Sequence, residues 1–183
     1  MDKATPAQQE KQASVRHYFA KMKGQAINPL QVNVKDACTG LVGGFIAISI
    51  LLYLTQLTNA EWLMAPFGAS CVLVFAVWNT PLAQPRNVIG GHVISALIGL
   101  ILYHAFGSEP WTLALGVGLA IACMMVTKTT HPPAGANPII IILGGYSWSY
   151  LLTPVLVGAV VIVCVALILN NLRSDRSYPT FWW

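Results

Sequence analysis

The feature that most constrains this chain is a series of long apolar segments without charged residues. The first covers residues 37–57, and a helix of about 20 residues crosses the ~30 Å hydrocarbon core of a bilayer. Only 9% of all residues are charged, against about a quarter in soluble domains. Backbone polar groups inside lipid need internal partners, which helices supply. We therefore predict an all-α polytopic membrane protein. Its six segments are 37–57, 62–78, 88–106, 111–126, a fifth that contains His131 and ends near Gly145, and 150–169.

Proline and glycine interrupt the second and the fifth segments. The fifth contains Thr-His-Pro-Pro-Ala-Gly-Ala-Asn-Pro at 130–138, and the second contains Ala-Pro-Phe-Gly-Ala-Ser at 65–70. Adjacent prolines do not fit inside a regular helix, and they favour extended backbone before them. Ser70 and Asn137 are good N-cap residues, so we predict that extended chain turns into a helix at each. Each of these segments is then a broken helix with a Pro-x-Gly-Ala-Ser/Asn corner near the bilayer midplane.

The distribution of charge predicts how the segments cross the membrane. If all six cross and the N-terminus is cytoplasmic, all ten basic residues lie inside, and the outer loops carry only Glu61 and Glu109. This agrees with the positive-inside rule. A rival arrangement makes segments two and five re-entrant, which leaves four crossings and moves Arg86 and Lys128 outside. We favour six crossings, with both termini in the cytoplasm.

Six crossings make the two halves of the membrane domain an inverted repeat. The domain covers 37–171, and its halves, 37–106 and 111–171, each contribute three segments of opposite orientation. Thr39 and Gly43 in the first segment parallel Thr112 and Gly116 in the fourth. Residues 1–36 form a cytoplasmic N-terminal segment in which 14–23 has the spacing of an amphipathic surface helix; a solvated basic tail is the alternative. Residues 172–183 form a cytoplasmic tail.

The two predicted helix starts define a candidate anion site. A helix N-terminus carries partial positive charge and N–H groups without helical partners, so two that face one cavity would bind an anion. Gly68 and Gly135 would allow close backbone approach, and Ala69 and Ala136 would keep the passage narrow. Ser70 and Asn137 would begin the helices. The alternative is that the Pro-Gly pairs only kink the helices for packing.

Four further residues near the inner half complete the predicted site. Arg86 and Lys128 would form a positive vestibule or serve only as topology anchors, and His92 lies about 10 Å along its helix from Arg86. His92 and His131 titrate near neutrality and would bind the anion or relay protons. No carboxylate lies within the apolar spans, which argues against a carboxylate-based pump. We expect no metal, no cofactor, no nucleic-acid partner and no enzymatic activity.

The signature at 130–138 resembles the one for which the HPP family of integral membrane proteins is named. Residues 65–70 and 81–92 also resemble stretches of that family, and the likeness covers about 36–171. Family members are often described with four transmembrane helices, and cyanobacterial and plastid members are described as nitrite transporters. The resemblance implies nitrite or a similar small anion as substrate. A structural or regulatory membrane protein is the alternative.

The expected cellular setting is a bacterial inner (plasma) membrane. Gly40 and Gly44 form a GxxxG pattern on the first segment, which favours close packing of helices. We expect a homo-oligomer with a pathway in each protomer, although the pattern would also serve packing inside the protomer.

Overall fold

The computed structural model describes residues 17–23, 28, 33–58 and 60–182. Residues 33–183 form one compact unit, and the chain before them forms a separate one. All regular structure in the described residues is helical. The α-helices of the main unit are α1 (Val34–Thr58), α2 (Ala65–Ala76), α3 (Pro85–Phe106), α4 (Pro110–Val126), α5 (Asn137–Gly144) and α6 (Val157–Asn171). Shorter 3₁₀ or π turns lie at Pro81–Ala83, Pro132–Ala136, Trp148–Leu151 and Leu152–Leu156.

Among the described residues, three helical stretches are long and apolar enough to cross a membrane. They are Val34–Thr58, Pro85–Phe106 and Trp148–Asn171, with 25, 22 and 24 residues. The other three apolar stretches, Ala65–Ala76, Pro110–Val126 and Pro132–Gly144, are shorter. The all-helical membrane class is therefore confirmed, and crossing by all six segments stays a prediction.

The predicted start of the second helix at Ser70 is wrong, because α2 begins at Ala65. Met64 has the extended backbone of an N-cap, and Pro66 occupies the first turn, where the missing N–H of proline costs nothing. In the fifth segment, α5 does begin at Asn137, but a 3₁₀ turn already occupies Pro132–Ala136. His131, just before that turn, has extended backbone with φ −138° and ψ 100°.

One end of the main unit, which we call the basic end, is held together by ion pairs and by the tail. Asp36, at the start of α1, contacts Arg173 and Arg176 at 2.7 and 2.6 Å. The buried guanidinium of Arg176 also donates to the carbonyl of Phe75, at the end of α2 (2.8 Å), and to Asn170 of α6 (2.6 Å). The predicted cytoplasmic tail is therefore packed against three helices.

The corners that precede α3 and follow α4 lie at the same basic end. The hydroxyl of Tyr178 in the tail donates to the carbonyl of Ala83 at 2.8 Å, and burial raises the pKa of that hydroxyl. Arg86 donates to the carbonyl of Thr127 at 3.0 Å. Lys128 follows in a left-handed conformation with φ 57°. Arg86 and Lys128 are thus on one side of the unit.

The opposite, acidic end contains Glu61 and aromatic side chains. The rings of Tyr146 and Tyr150 stack with centroids 3.9 Å apart, and His104 lies 5.0 Å from the ring of Trp148. A cavity of about 400 Å³ opens between Glu61 and the two tyrosines. His104 therefore lies in the last turn of α3, at the acidic end.

Four buried glycines bring the helices close to the two short segments. A Cβ atom at Gly43 of α1 would stand 2.5 Å from the ring of Phe75 on α2. One at Gly116 of α4 would stand 3.0 Å from Pro138 on α5. Gly99 of α3 lies against the backbone of Pro138, and Gly158 of α6 lies against the ring of Phe67 on α2. Each short segment is therefore clasped by two glycine-bearing helices.

The N-terminal unit contains a helical stretch at 17–21. Its Tyr18 and Phe19, followed by Met22, are 59, 58 and 61% exposed. Residues 14–16 of the predicted amphipathic helix lie outside the described residues. Its placement on a membrane surface stays a prediction.

Candidate functional site

Four of the ten predicted site residues meet in a polar cluster inside the helices. We call Ser70, His92, His131 and Asn137 the polar cluster; the first three are 0% exposed and Asn137 is 1% exposed. The rings of the two histidines have centroids 5.0 Å apart, and Phe67 packs edge-on against His92 at 5.1 Å. Segments that are far apart in the sequence thus place four uncharged polar side chains together.

Local backbone geometry explains how His131 reaches the cluster. Pro132 favours extended backbone at His131, and that residue has φ −138° and ψ 100°. Gly91, the residue before His92 on α3, leaves room for the approach. A Cβ atom there would stand 2.7 Å from Cβ of His131 and 2.9 Å from the carbonyl oxygen of Thr129. A larger residue at 91 would push the two histidines apart.

The hydrogen bonds of the cluster run in one direction from Asn137 to Leu82. Nδ1 of His131 lies 2.8 Å from the carbonyl of Leu82, which can only accept, so in the neutral ring Nδ1 donates and Nε2 accepts. The hydroxyl of Ser70 therefore donates to Nε2 of His131 at 2.8 Å. Its oxygen accepts from Nε2 of His92, also at 2.8 Å. The remaining nitrogen of His92, Nδ1, accepts from the amide of Asn137 at 3.0 Å.

The side chain of Asn137 does not cap a helix, contrary to the prediction. Its Nδ2 group contacts Nδ1 and the carbonyl oxygen of His92, and Oγ of Ser95 at 2.9 Å. Its Oδ1 atom is buried without a hydrogen-bond partner. The residue before it, Ala136, already has a helical backbone. Asn137 therefore serves the cluster rather than the helix start.

The predicted pair of free helix N-termini at Ser70 and Asn137 is also wrong. Ser70 lies in the second turn of α2, where backbone N–H groups bond within the helix. The N–H of Asn137 donates to the carbonyl of Ala134, and the N–H of Ala134 donates to the carbonyl of His131 at 3.0 Å. The two prolines between them have no N–H to offer. Side chains, rather than backbone N–H groups, are the donors at this place.

The small residues of the two motifs lie beside the cluster rather than in it. Gly68 and Ala69 are exposed on α2, and Gly135 and Ala136 are half-buried. A Cβ atom at Gly68 or Gly135 would meet no atom within 4 Å. Both glycines therefore border open space in the protomer, and no narrow passage between them is formed by the described residues.

The structure places one of the two basic residues of the predicted vestibule, Arg86, at a cavity. The half-buried Arg86 lines a cavity of about 510 Å³ at the basic end, together with Gly90, Thr127, Thr129 and Trp182 among others. Lys128 is exposed and does not line it. Gly90 precedes Gly91, which lies against His131, but no residue of the polar cluster lines the cavity.

Sequence reasoning missed three groups at this site. Ser95 lies one turn after His92 on α3 and donates to its carbonyl oxygen at 3.1 Å. Leu82 contributes only a backbone carbonyl, which no side-chain pattern reveals. Trp182 reaches the cavity because the tail packs on the basic end. The pair Gly90-Gly91 immediately before His92 was the available sign of a close approach.

These features define an integral membrane protein of the all-α class, with a buried polar cluster among apolar helices. The family model described as "HPP, transmembrane region" matches residues 29–179. The chain therefore belongs to the HPP transmembrane family.

Two curated relatives are transmembrane proteins of Dictyostelium discoideum. One is 36% identical over 178 residues, which is 91% of this chain and 57% of the relative. The other is 36% identical over 149 residues, which is 76% of this chain and 52% of the relative. The chain thus spans about half the length of these relatives. No solved structure matches it.

Proposed function

We propose that this chain transports a small inorganic anion, with nitrite as the first candidate, along a path that passes the polar cluster. The observation that carries the proposal is the cluster itself. Polar side chains buried among membrane helices are costly and usually functional. Here a hydroxyl, two imidazoles and an amide converge without any carboxylate. Such a set can donate a hydrogen bond to an anion when one of the hydrogen bonds within the cluster is exchanged for it.

The charges around the cluster favour an anion over a cation. Between residues 37 and 171 the only carboxylates in the sequence are Glu61 and Glu109, both in loops at the acidic end. The cavity at the basic end, lined by Thr129 two residues before His131, is instead also lined by Arg86. A single positive charge in a confined mouth raises the local anion concentration. This supports the vestibule role for Arg86, while exposed Lys128 would act only at longer range.

The proposal includes six crossings arranged as an inverted repeat, and two packing patterns support it. If α1 is exchanged with α4, α2 with α5 and α3 with α6, each pair of packed helices becomes a packed pair again. The contact of α1 with α2 corresponds to that of α4 with α5, and the contact of α3 with α5 corresponds to that of α6 with α2. The glycines follow the same exchange. Gly43 and Gly116 each contact the short segment of their own half, whereas Gly99 and Gly158 each contact the short segment of the other half.

The proposed orientation places the basic end, and with it both termini, in the cytoplasm, as the positive-inside rule requires. We also propose that the protein is a homo-oligomer. A Cβ atom at Gly40 or Gly44 of α1 would meet no atom within 4 Å, so this GxxxG face is not used inside the protomer. It is free to pack against a second copy. The bacterial inner membrane as the protein's location stays a prediction.

Nitrite uptake by proteoliposomes that contain the purified protein tests the proposal. We expect uptake above that of empty vesicles at the same pH. Gly135→Val should abolish it by filling the open space beside the cluster. The matched control is Gly118→Val, because Gly118 also borders open space but lies on α4, away from the cluster. The control should retain uptake.

The second candidate function is a structural or regulatory role. It is favoured by the nearly complete hydrogen bonding of the cluster, which would also fasten α2, α3 and α5 together. No uptake above empty vesicles, in either orientation and with or without a pH gradient, would favour this candidate instead. Equal rates for Gly135→Val and the control would show that the path lies elsewhere.

A further inference from the structure

The hydroxyl of Ser70 has more hydrogen-bond partners than it can satisfy by donating. It lies 2.8 Å from Nε2 of His92 and 2.8 Å from Nε2 of His131. It also lies 3.2 Å from the carbonyl oxygen of Pro66, one turn earlier on α2. A hydroxyl has one hydrogen to donate and two lone pairs that accept. With both imidazoles neutral, the hydroxyl donates its hydrogen to His131. The carbonyl of Pro66 is an alternative acceptor, which the hydroxyl does not use in this state.

We infer that the polar cluster binds one proton together with each anion, at Nε2 of His131, so that the anion crosses as an electroneutral pair with the proton. This inference rests on the proposed anion transport and names its co-substrate. The two histidines and Ser70 are the binding site of that proton.

The structure accommodates the added proton without moving a heavy atom. A proton from water forms an N–H bond at Nε2 of His131, which becomes an imidazolium. The hydrogen of Ser70 turns from His131 to the carbonyl of Pro66, and the hydroxyl oxygen then accepts from both Nε2–H groups, of His92 and of His131. On release the new N–H bond breaks, the proton returns to water, and the hydroxyl turns back. No other covalent bond changes.

The polar cluster has no cationic side chain to balance a bound anion, and a bound proton would supply that positive charge. An unpaired ion costs many kcal/mol in a medium of low dielectric constant, and the cluster contains no lysine or arginine. The side chains next to the imidazoles are uncharged, namely Ser70 and Phe67 of α2 and Asn137 of α5. The thiol of Cys71 is the titratable neighbour along α2, and Arg86 is bonded at the cavity to Thr127. Only His92 and His131 can supply a positive charge at the cluster itself.

The experiment separates a pH gradient from a membrane potential as the driving force for nitrite uptake. Proteoliposomes are loaded with a pH-sensitive dye, and initial rates are corrected for empty vesicles, because nitrous acid crosses lipid unaided. With about one pH unit across the membrane, one-to-one coupling to protons can drive a roughly tenfold ratio of anion concentration between the two sides. We expect uptake to follow this gradient, to ignore an imposed potential, and to carry about one proton per nitrite.

Ser70→Ala removes the bridging hydroxyl, and Thr112→Val, which also removes one buried hydroxyl, is the matched control. Thr112 is fully buried, but it lies at the start of α4, where its hydroxyl bonds the carbonyls of Gly107 and Glu109 rather than an imidazole nitrogen. Ser70→Ala should lose the response to the pH gradient, and Thr112→Val should retain one proton per nitrite. If Ser70→Ala does not fold, the wild-type measurement alone decides.

The two proposals fail in different ways. Uptake that responds to potential and moves no protons would overturn proton coupling and leave anion transport intact. Coupling that survives in folded Ser70→Ala protein would overturn the role of the polar cluster. The absence of any nitrite uptake would overturn the proposed function itself.

Discussion

The packing of Gly43 against Phe75 gives a prediction in which two adjacent glycines behave oppositely. Both Gly43 and Gly44 lie within α1, where glycine to alanine should gain about 0.5–1 kcal/mol of helix stability. A Cβ atom at Gly44 meets nothing within 4 Å, whereas one at Gly43 meets ring carbons of Phe75 at 2.5, 2.6 and 2.7 Å. Phe75 is 0% exposed, so its ring has no room to withdraw.

The expected magnitudes follow from these distances. The ring would have to shift by about 1 Å to restore van der Waals contact near 3.5–4.0 Å, and overpacking of this kind costs about 1–3 kcal/mol. Gly43→Ala should therefore be about 1–3 kcal/mol less stable than Gly44→Ala. The helix-propensity gain is common to both and drops out of the comparison.

The assay is reversible unfolding in detergent at concentrations where the protein is monomeric, so that contacts between copies do not enter. Phe75→Leu shortens the opposing side chain and should relieve the clash. The double variant Gly43→Ala/Phe75→Leu should then be more stable than the sum of the single effects predicts, by about 0.5–3 kcal/mol. If Gly43→Ala is as stable as Gly44→Ala, or if the two changes are additive, α1 does not pack on α2 as described.

Three further predictions concern topology, the cavity and the tail. A single cysteine at Glu109 should react with an impermeant thiol reagent from outside and one at Lys128 only from inside; external labelling of the second would restore the four-crossing arrangement. Arg86→Gln should raise the nitrite concentration for half-maximal uptake several-fold while the maximal rate changes little; an unchanged half-maximal concentration would remove the vestibule role. Burial raises the pKa of Tyr178 above that of the unfolded chain, near 10, so the neutral phenol stabilises the fold below about pH 10. That stability should fall as the pH rises further. In unfolding experiments, Tyr178→Phe should remove this pH dependence and cost about 1 kcal/mol for the lost hydrogen bond to the carbonyl of Ala83. An unchanged pH dependence would place the tail in solvent.

The apolar segments were predictable because a helix in lipid needs a long stretch of apolar residues without charge. The uncharged stretch 88–106 corresponds to Pro85–Phe106, and 111–126 corresponds to Pro110–Val126. The error at α2 arose because Pro66 was interpreted as part of an extended break. Proline in the first turn is equally compatible with a helix start, and only the backbone at Met64 decides between them.

The candidate site was predictable as a set of residues but not as an arrangement. His131 and Asn137 stand out in their motif, and Ser70 ends the matching motif. That Ser70 bridges two imidazoles depends on the rotation of α2 and α3 about their axes, which sequence spacing does not fix. The ion pairs of Asp36 with Arg173 and Arg176 were missed because sequence spacing does not show which helix ends meet. The charges near both ends of the domain were interpreted only as topology signals, although they pair across about 140 residues.

The contact between the first and last long helices makes the main unit a ring. Asp36 on α1 and Arg173 after α6 are 2.7 Å apart, so the two ends of the bundle meet at the basic end. In such a closed arrangement, the chain termini can be moved to another loop without changing how the helices pack. A linker from the tail to residue 33, with new ends opened at exposed Lys128, would keep the direction and the neighbours of every helix. The same closure would let a gene encode the two halves in reverse order and still specify this bundle.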